Sequence, residues 1–426
     1  MIHFCLHPKW SRTFLLTTLF TFFLFRFSVP SATSAAKFEV QGIQKASDIL
    51  PGDIISGLHY RVRETVTCSG YMYNYVVDSD YGVFEVKGYF ALYKMIREIG
   101  AIAALQEIWK GEAFLNGVIH AASQPIEFVA NLITDPADTI SGVPKGIASL
   151  FQTVKTGLTT QPSKNEDTKM EQLLAVSANK RQLAQQLGVD VYSNNKVFQK
   201  ELDDVASATS LGSLTASAAL VPVGGPVVAA VSLTLAAQQL RNFINQYPPQ
   251  KLRQINQEKL EAMGMPQDLV TLFLDQPNYT PTQNTVIVNS MEVLSGARGR
   301  DLFLQQTLAA DGEESADFFM HIAETMRGYH SKVAPILEIS VYGVLVFARA
   351  SNGTVMIALP LDYLIWTDIA SKLVFAAIAQ HKAMDPGLKM CDIWLTGTAS
   401  KMARDEAAKT GVKIVEKVGN QIEFTY

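Results

Sequence analysis

From Val205 to Leu240 the chain runs for 36 residues without a charged side chain, between Asp203-Asp204 and Arg241. A stretch of that length has to be covered, by the rest of the protein or by lipid, because large apolar surfaces left in water drive association. Pro222, Gly224, Gly225 and Pro226 cut it into arms of 17 (205–221) and 14 (227–240) residues. Proline cannot continue a helix, so the expected form is a helical hairpin over 205–240. Nine Ala, five Ser, three Thr and three Gly outnumber the six Val and six Leu, and no aromatic is present. Both arms fall short of the roughly 20 apolar residues that cross a bilayer. Small residues let helices pack closely, so a buried hairpin is expected, with membrane insertion or peripheral membrane binding as the alternative.

A second apolar run lies at the N-terminus. Lys9 and Arg12 precede Thr13–Phe25, 13 apolar or hydroxylic residues that end at Arg26 and Pro30. Small residues at Ser34 and Ala36 then suit a signal peptidase cutting before Lys37. Residues 1–36 therefore read as a secretory signal peptide. Its removal deletes three bases and no acid, taking the formal net charge from −4 to −7. An acidic mature chain is a poor match for nucleic acid, which selects a basic footprint. The expected location is periplasmic or extracellular, with association to a membrane or to envelope proteins through 205–240. Two cysteines remain, Cys68 and Cys391. They read as two buried thiols, and so few cysteines point to a bacterial rather than a eukaryotic secreted protein.

The periodicities predict an α+β, multi-domain, helix-rich protein. Tyr60 to Cys68 alternates, with Tyr60, Val62, Val66 and Cys68 on one side. Further strands over 71–77 and 82–86 make a small antiparallel meander. Helical spacing begins at Tyr89, and short amphipathic pieces punctuated by Pro125, Pro136 and Pro144 follow over 114–151. These form a first region, 37–160. A helical region, 161–280, holds the hairpin. A mixed α/β region, 281–426, follows: a helix over 301–329, a β run over 337–348, an Asn352-Gly353 turn into Thr354–Leu359, a helix near 368–382, and a strand at Cys391–Leu395. Ser400 is placed to cap a last helix that stops at Gly411, before a strand at Val412–Val415.

Chemistry is sparsely signalled. G-x-S-x-G, Walker A, G-x-G-x-x-G and H-E-x-x-H patterns are all missing, and no cofactor or metal is expected. Ser177-Ala178-Asn179-Lys180, Ser193-Asn194-Asn195 and Lys-Thr-Gly at 155–157 and 409–411 resemble the motifs of penicillin-recognising serine enzymes. Their spacing does not fit, because only 12 residues separate Lys180 from Ser193 and Thr410-Gly411 reads as a helix stop. His321 and Glu324 share a helix face, which makes two ligands rather than a metal site. The remaining ligand candidates are Thr396, Thr398 and Ser400, on a hydroxyl-rich turn between a strand end and a helix N-terminus, where anions can be bound. The expectation is an exported binding or assembly protein rather than an enzyme. Two alternatives stand beside it: an exported hydrolase with a spatially assembled site, and a membrane-inserting, toxin-like protein.

Overall fold

The computed structural model describes residues 38–109, 169–210, 235–384 and 390–425. The signal segment 1–36, the pieces at 114–151 and the centre of the uncharged stretch, 211–234, lie outside the described residues. The fold is α+β, with an antiparallel sheet on the N-terminal side and a mixed sheet in the C-terminal half.

In the first sheet β1 (Ile43–Lys45), β2 (Ser56–Gly57), β3 (Tyr60–Val62), β4 (Thr65–Ser69) and β6 (Gly82–Lys87) gather around β5 (Met72–Ser79). One edge of β5 pairs with β6; the other takes β4 near its start and β3 near its end. The run Tyr60–Cys68, expected as one strand, is thus broken at Arg63-Glu64. There the β4 end turns to meet β1 while the Arg63 N–H donates to Val76. Tyr60, Val62 and Val66 are buried and Cys68 half-buried, which is the face the alternation predicted. The β4–β5 turn is Gly70-Tyr71, both at positive φ (58° and 68°). Tyrosine rarely adopts this conformation. Here the Tyr71 carbonyl accepts from the N–H groups of Asp362 and Tyr363, and its hydroxyl meets Thr367, so contacts from almost 300 residues away hold it.

Helix α1 (Tyr89–Trp109) begins where helical spacing was expected, although its buried positions are not a single stripe. Leu92, Tyr93, Ile96 and Ile99 pack on the first sheet, while Ala101, Ile102 and Leu105 pack against α2 (Lys169–Leu187) and α3 (Lys196–Ser210). A helix gripped from several sides shows a weak amphipathic period. Helices α4 (Leu235–Gln246), α5 (Pro249–Ala262), α6 (Gln267–Leu274) and α7 (Pro281–Val293) follow. Each described end of the uncharged stretch buries one face: Val205 and Ala206 on α3, and Ala237 and Leu240 on α4, while Ser207 and Gln239 are exposed. Among the described residues no helix is long and apolar enough to cross a membrane.

The helical spacing over 301–329 resolves into α8 (Arg300–Thr307) and α9 (Glu313–Lys332), interrupted at Asp311-Gly312. The β run over 337–348 is a hairpin, β7 (Ile336–Tyr342) and β8 (Leu345–Ala350), turned at Gly343 (φ 60°). With β9 (Thr354–Leu359), β11 (Met390–Leu395) and β13 (Val412–Val415) they form a sheet of order β13-β11-β9-β8-β7. A short parallel pair, β10 (Tyr363–Leu364) with β12 (Thr398–Ala399), lies beside it. The three strands β9, β11 and β13 are parallel, linked by α10 (Ala376–Met384, continuing a π-helical turn at Ala370–Phe375) and α11 (Lys401–Lys409). Parallel strands need such crossovers. Alternate residues divide the faces: Phe347, Ile357 and Ile393 pack under α10 and α11, while Val346, Met356 and Trp394 face the α5–α9 side. All six residues of β9 are buried, as a central strand covered on both faces requires. The described residues from Glu39 onward form one compact unit.

Candidate functional site

The turn flagged in the sequence is already filled by the protein. The Thr396 hydroxyl donates to the Leu361 carbonyl (3.0 Å), and Thr398 lies in β12 with its N–H on the Asp362 carbonyl (3.0 Å). Ser400 caps α11 by accepting from the Ala403 N–H (3.0 Å) and donates to Glu39. The same Glu39 carboxylate accepts the Trp366 N–H at 2.7 Å. The structure brings the three residues together, but a carboxylate of the chain's own N-terminal segment occupies the cap.

The His321–Glu324 pair is buried and hydrogen-bonded along one helix face. His321 Nδ1 lies 3.0 Å from Glu324 Oε2, and Glu324 is 0 % exposed. Arg327 donates to Glu324 Oε1 at 3.4 Å and the Thr425 N–H at 2.6 Å. Burial pushes the Glu324 carboxyl up; His321, Arg327 and Thr425 together outweigh it and leave it below the ordinary range. Among the described residues no group of three or more metal-type ligands assembles. Cys68 and Cys391 are unpaired, and burial pushes each thiol up to about 11.

A cleft of about 650 Å³ lies in front of this pair, bounded by β6, α1, the Ser193–Asn195 segment and the start of α9. Six carboxylates line it: Glu85, Glu98, Asp311, Glu313, Glu314 and Asp317. Only two lysines oppose them, and both are already engaged, Lys87 with Glu314 at 2.7 Å and Lys94 with Glu313 at 3.7 Å. The imidazole of His321 reaches the same wall, stacked on Phe90 at 4.1 Å.

Glu98 is the anomaly in this lining. It is 2 % exposed, its Oε2 accepts from Asn195 Nδ2 at 2.9 Å, and its Oε1 has no partner. Burial pushes its carboxyl above the ordinary range, offset in part by Lys94, Ser193 and Asn195. Asp190, 5 % exposed, is raised by burial in the same way; Lys94, the Thr282 hydroxyl (2.6 Å) and the Tyr192 N–H offset part of the rise. Burial pulls the Lys94 ammonium down, but Glu98, Asp190, Asp317 and Glu313 outweigh it and hold it charged. Gln283 holds Asp317 at 2.6 Å from the far side. Buried acids with raised pKa values facing a cleft are a mark of functional sites.

Of these residues the sequence marks Ser193, Asn194 and Asn195, as a serine-enzyme-like fragment, and His321; Lys94, Glu98, Asp190 and Asp317 are not singled out. Lys94 and Glu98 stand at i and i+4 on one helix, and so do Asp317 and His321. That spacing ordinarily marks a solvated helix face. The available signal was the charged pair Arg97-Glu98 inside an otherwise apolar run, Ile96 to Ala104.

A second concavity of about 460 Å³ lies on the other side of Ser193-Asn194, which contribute to both. Ser177, Lys180, Ser193 and Asn194 all line it. Two of the serine-enzyme-like fragments therefore do meet in space, but Lys180 Nζ is bound to Asp203 at 2.6 Å and is not free to serve as a base. Of the Lys-Thr-Gly copies, 155–157 lies outside the described residues, and 409–411 closes α11, where Lys382 binds the Thr410 and Gly411 carbonyls.

No family model, curated protein or solved structure matches the chain.

Proposed function

We propose that the protein is an exported binding protein whose acidic cleft takes a cationic, amine-bearing small molecule. The observation that carries this reading is Glu98: a carboxylate 2 % exposed, lining a cleft with four more acids than lysines, with one oxygen left without a partner. A buried acceptor without a partner costs about 1–3 kcal/mol. An ammonium group in the cleft supplies the missing donor and compensates the excess charge, while Phe90 and Phe318 on the wall offer ring faces for an alkyl chain or a cation. A cleft of about 650 Å³ suits a ligand of that size.

Glu98 also sets the pH response. Burial raises its pKa and a bound cation favours the carboxylate, so binding is linked to proton release and affinity should rise as pH passes through the titration of Glu98, until the amine itself deprotonates. The test is calorimetric titration of the mature chain with putrescine and spermidine at about pH 6 and about pH 8. Binding should be tighter at the higher pH. Glu98→Gln should weaken it by roughly 10- to 100-fold, the worth of one hydrogen bond to a charged group. No binding of either amine at millimolar concentration, or an unchanged Glu98→Gln, refutes the reading.

Export rests on Lys9, Arg12 and the run Thr13–Phe25. Expression of the full chain in a bacterium should yield a mature N-terminus at Lys37 outside the cytoplasm, read by mass spectrometry of the periplasmic fraction. At the described ends of 205–240, Val205, Ala206, Ala237 and Leu240 are covered by protein, which supports burial over membrane insertion there. Flotation of the mature chain with liposomes would contradict that placement.

A further inference from the structure

We infer that the 460 Å³ cavity behind Ser193-Asn194 is a second ligand site, for a small hydroxyl-rich molecule carrying an anionic group. Its lining contrasts with the cleft next door. No carboxylate contributes to it, whereas Lys180 and Arg181 both do. Lys180 is committed to Asp203, but Arg181 makes no ion pair among the described residues. A guanidinium with spare fork donors on a cavity wall free of acids is matched to a carboxylate or phosphate, which it can hold through two parallel bonds.

The neutral groups point the same way. The side chains of Ser177 and Asn194 line the cavity and make no hydrogen bond within the described residues, so donors and acceptors are available for hydroxyls. Tyr192 and Tyr279 line it as well, and their hydroxyls are tied elsewhere, to the carbonyls of Tyr247 and Thr307. The rings therefore serve as apolar walls, the kind of surface on which a sugar face packs. Two helices, α5 at Pro249 and α7 at Thr280-Pro281, also start on this wall, which adds positive potential for an anion. The proposal rests on the cavity and its uncommitted side chains, independently of what the acidic cleft binds.

The test uses the mature chain with D-glucuronate, inorganic phosphate and D-glucose as probes in calorimetric or NMR titrations. Glucuronate should bind, glucose at least tenfold more weakly, and phosphate should compete with glucuronate. Arg181→Ala should weaken glucuronate roughly 10- to 100-fold, the loss of a charge-assisted pair, whereas Arg181→Lys should recover only part of it because the fork is gone. Asn194→Ala, an exposed position that cannot unsettle the core, should weaken glucuronate several-fold. The thermal midpoints of the three variants should stay near that of the parent, which separates loss of a ligand contact from loss of fold. Absence of glucuronate and phosphate binding at millimolar concentration overturns the inference, and so does an Arg181→Ala variant that binds glucuronate as the parent does. Amine binding in the acidic cleft should be unchanged in Arg181→Ala, so failure of one site is distinguishable from failure of the other.

Discussion

Replacing Glu324 is expected to loosen the molecule at one defined place, behind the acidic cleft. The carboxylate is fully buried and receives three donors: the Thr425 N–H at 2.6 Å, His321 Nδ1 at 3.0 Å and Arg327 Nη2 at 3.4 Å. Arg327 is itself only 14 % exposed and keeps one other bond, to the Glu423 carbonyl at 3.2 Å. Truncation to alanine leaves that guanidinium short of its counter-charge, and removing one partner of a buried pair costs about 3–5 kcal/mol. Glu324→Gln retains an acceptor for one donor but turns an amide N–H toward another, so about 1–3 kcal/mol is expected. The carboxyl sits below its ordinary range in the folded state, so its contribution is present above the unfolded value of about 4.5 and is lost as pH falls through the lower folded value. Urea titrations of parent and Glu324→Gln at several pH values should show a gap that is full near neutrality and closes in acid. Hydrogen exchange should locate the damage, with the Thr425 amide losing protection in Glu324→Ala before the sheet strands do. A loss below about 1 kcal/mol for Glu324→Ala, or a gap that widens in acid, refutes the assignment of this network.

Asp362 accepts the N–H groups of Tyr73 (2.9 Å) and Tyr89 (3.1 Å), and burial pushes its carboxyl up to about 6. The folded state therefore holds this proton more tightly than the unfolded chain. The parent's stability relative to Asp362→Asn should fall between about pH 4 and pH 6 and then level off, by at most about 3 kcal/mol; urea midpoints across that range check it. A Cβ on Gly397 would lie 1.9 Å from the Asp362 carbonyl oxygen, so Gly397→Ala should cost about 1–3 kcal/mol or more, read as a lowered thermal midpoint. Ser400→Ala removes the α11 cap and the Glu39 contact together and should cost about 1–2 kcal/mol, while limited proteolysis after Glu39 should become faster.

Local signals were the legible part of this fold. Asn352-Gly353 does turn β8 into β9, Ser400 does cap α11, and the Tyr60–Val66 alternation names the buried face. Each depends on neighbours a few residues away, and that is the range over which turn, cap and strand preferences act. The turn at Gly343 was missed because Val341-Tyr342 before it and Val344-Leu345 after it continue the apolar run, leaving a single glycine to mark it. The turn at Thr396–Ser400 was located, but its occupant was not. Glu39 lies 361 residues away from Ser400, and no pattern in either segment encodes that meeting. The cleft was hidden for the same reason. Lys94 and Glu98, four apart on one helix, carry no mark of a cleft in the sequence; the segment after α2 and the start of α9 complete it.

The placement of charge argues that this closure serves more than packing. Glu98 comes from α1, Asp190 from the turn after α2, and Asp317 from α9, and all three surround a single ammonium, Lys94. Burying ions of like sign together is costly, and well-packed apolar residues of similar volume ordinarily give an equal or greater stability. A structural purpose would be met by full pairing, as at Glu324, where every nearby donor is used and the carboxyl is held below its ordinary range. At Glu98 the arrangement runs the other way: burial wins, the carboxyl is raised, and Oε1 is left buried without a partner in a residue that lines the acidic cleft. Two buried glutamates in one molecule thus have opposite environments. The satisfied one pins the C-terminal segment at Thr425, and the unsatisfied one lines a cleft whose acids outnumber its lysines. Sites that give up stability for chemistry show this asymmetry.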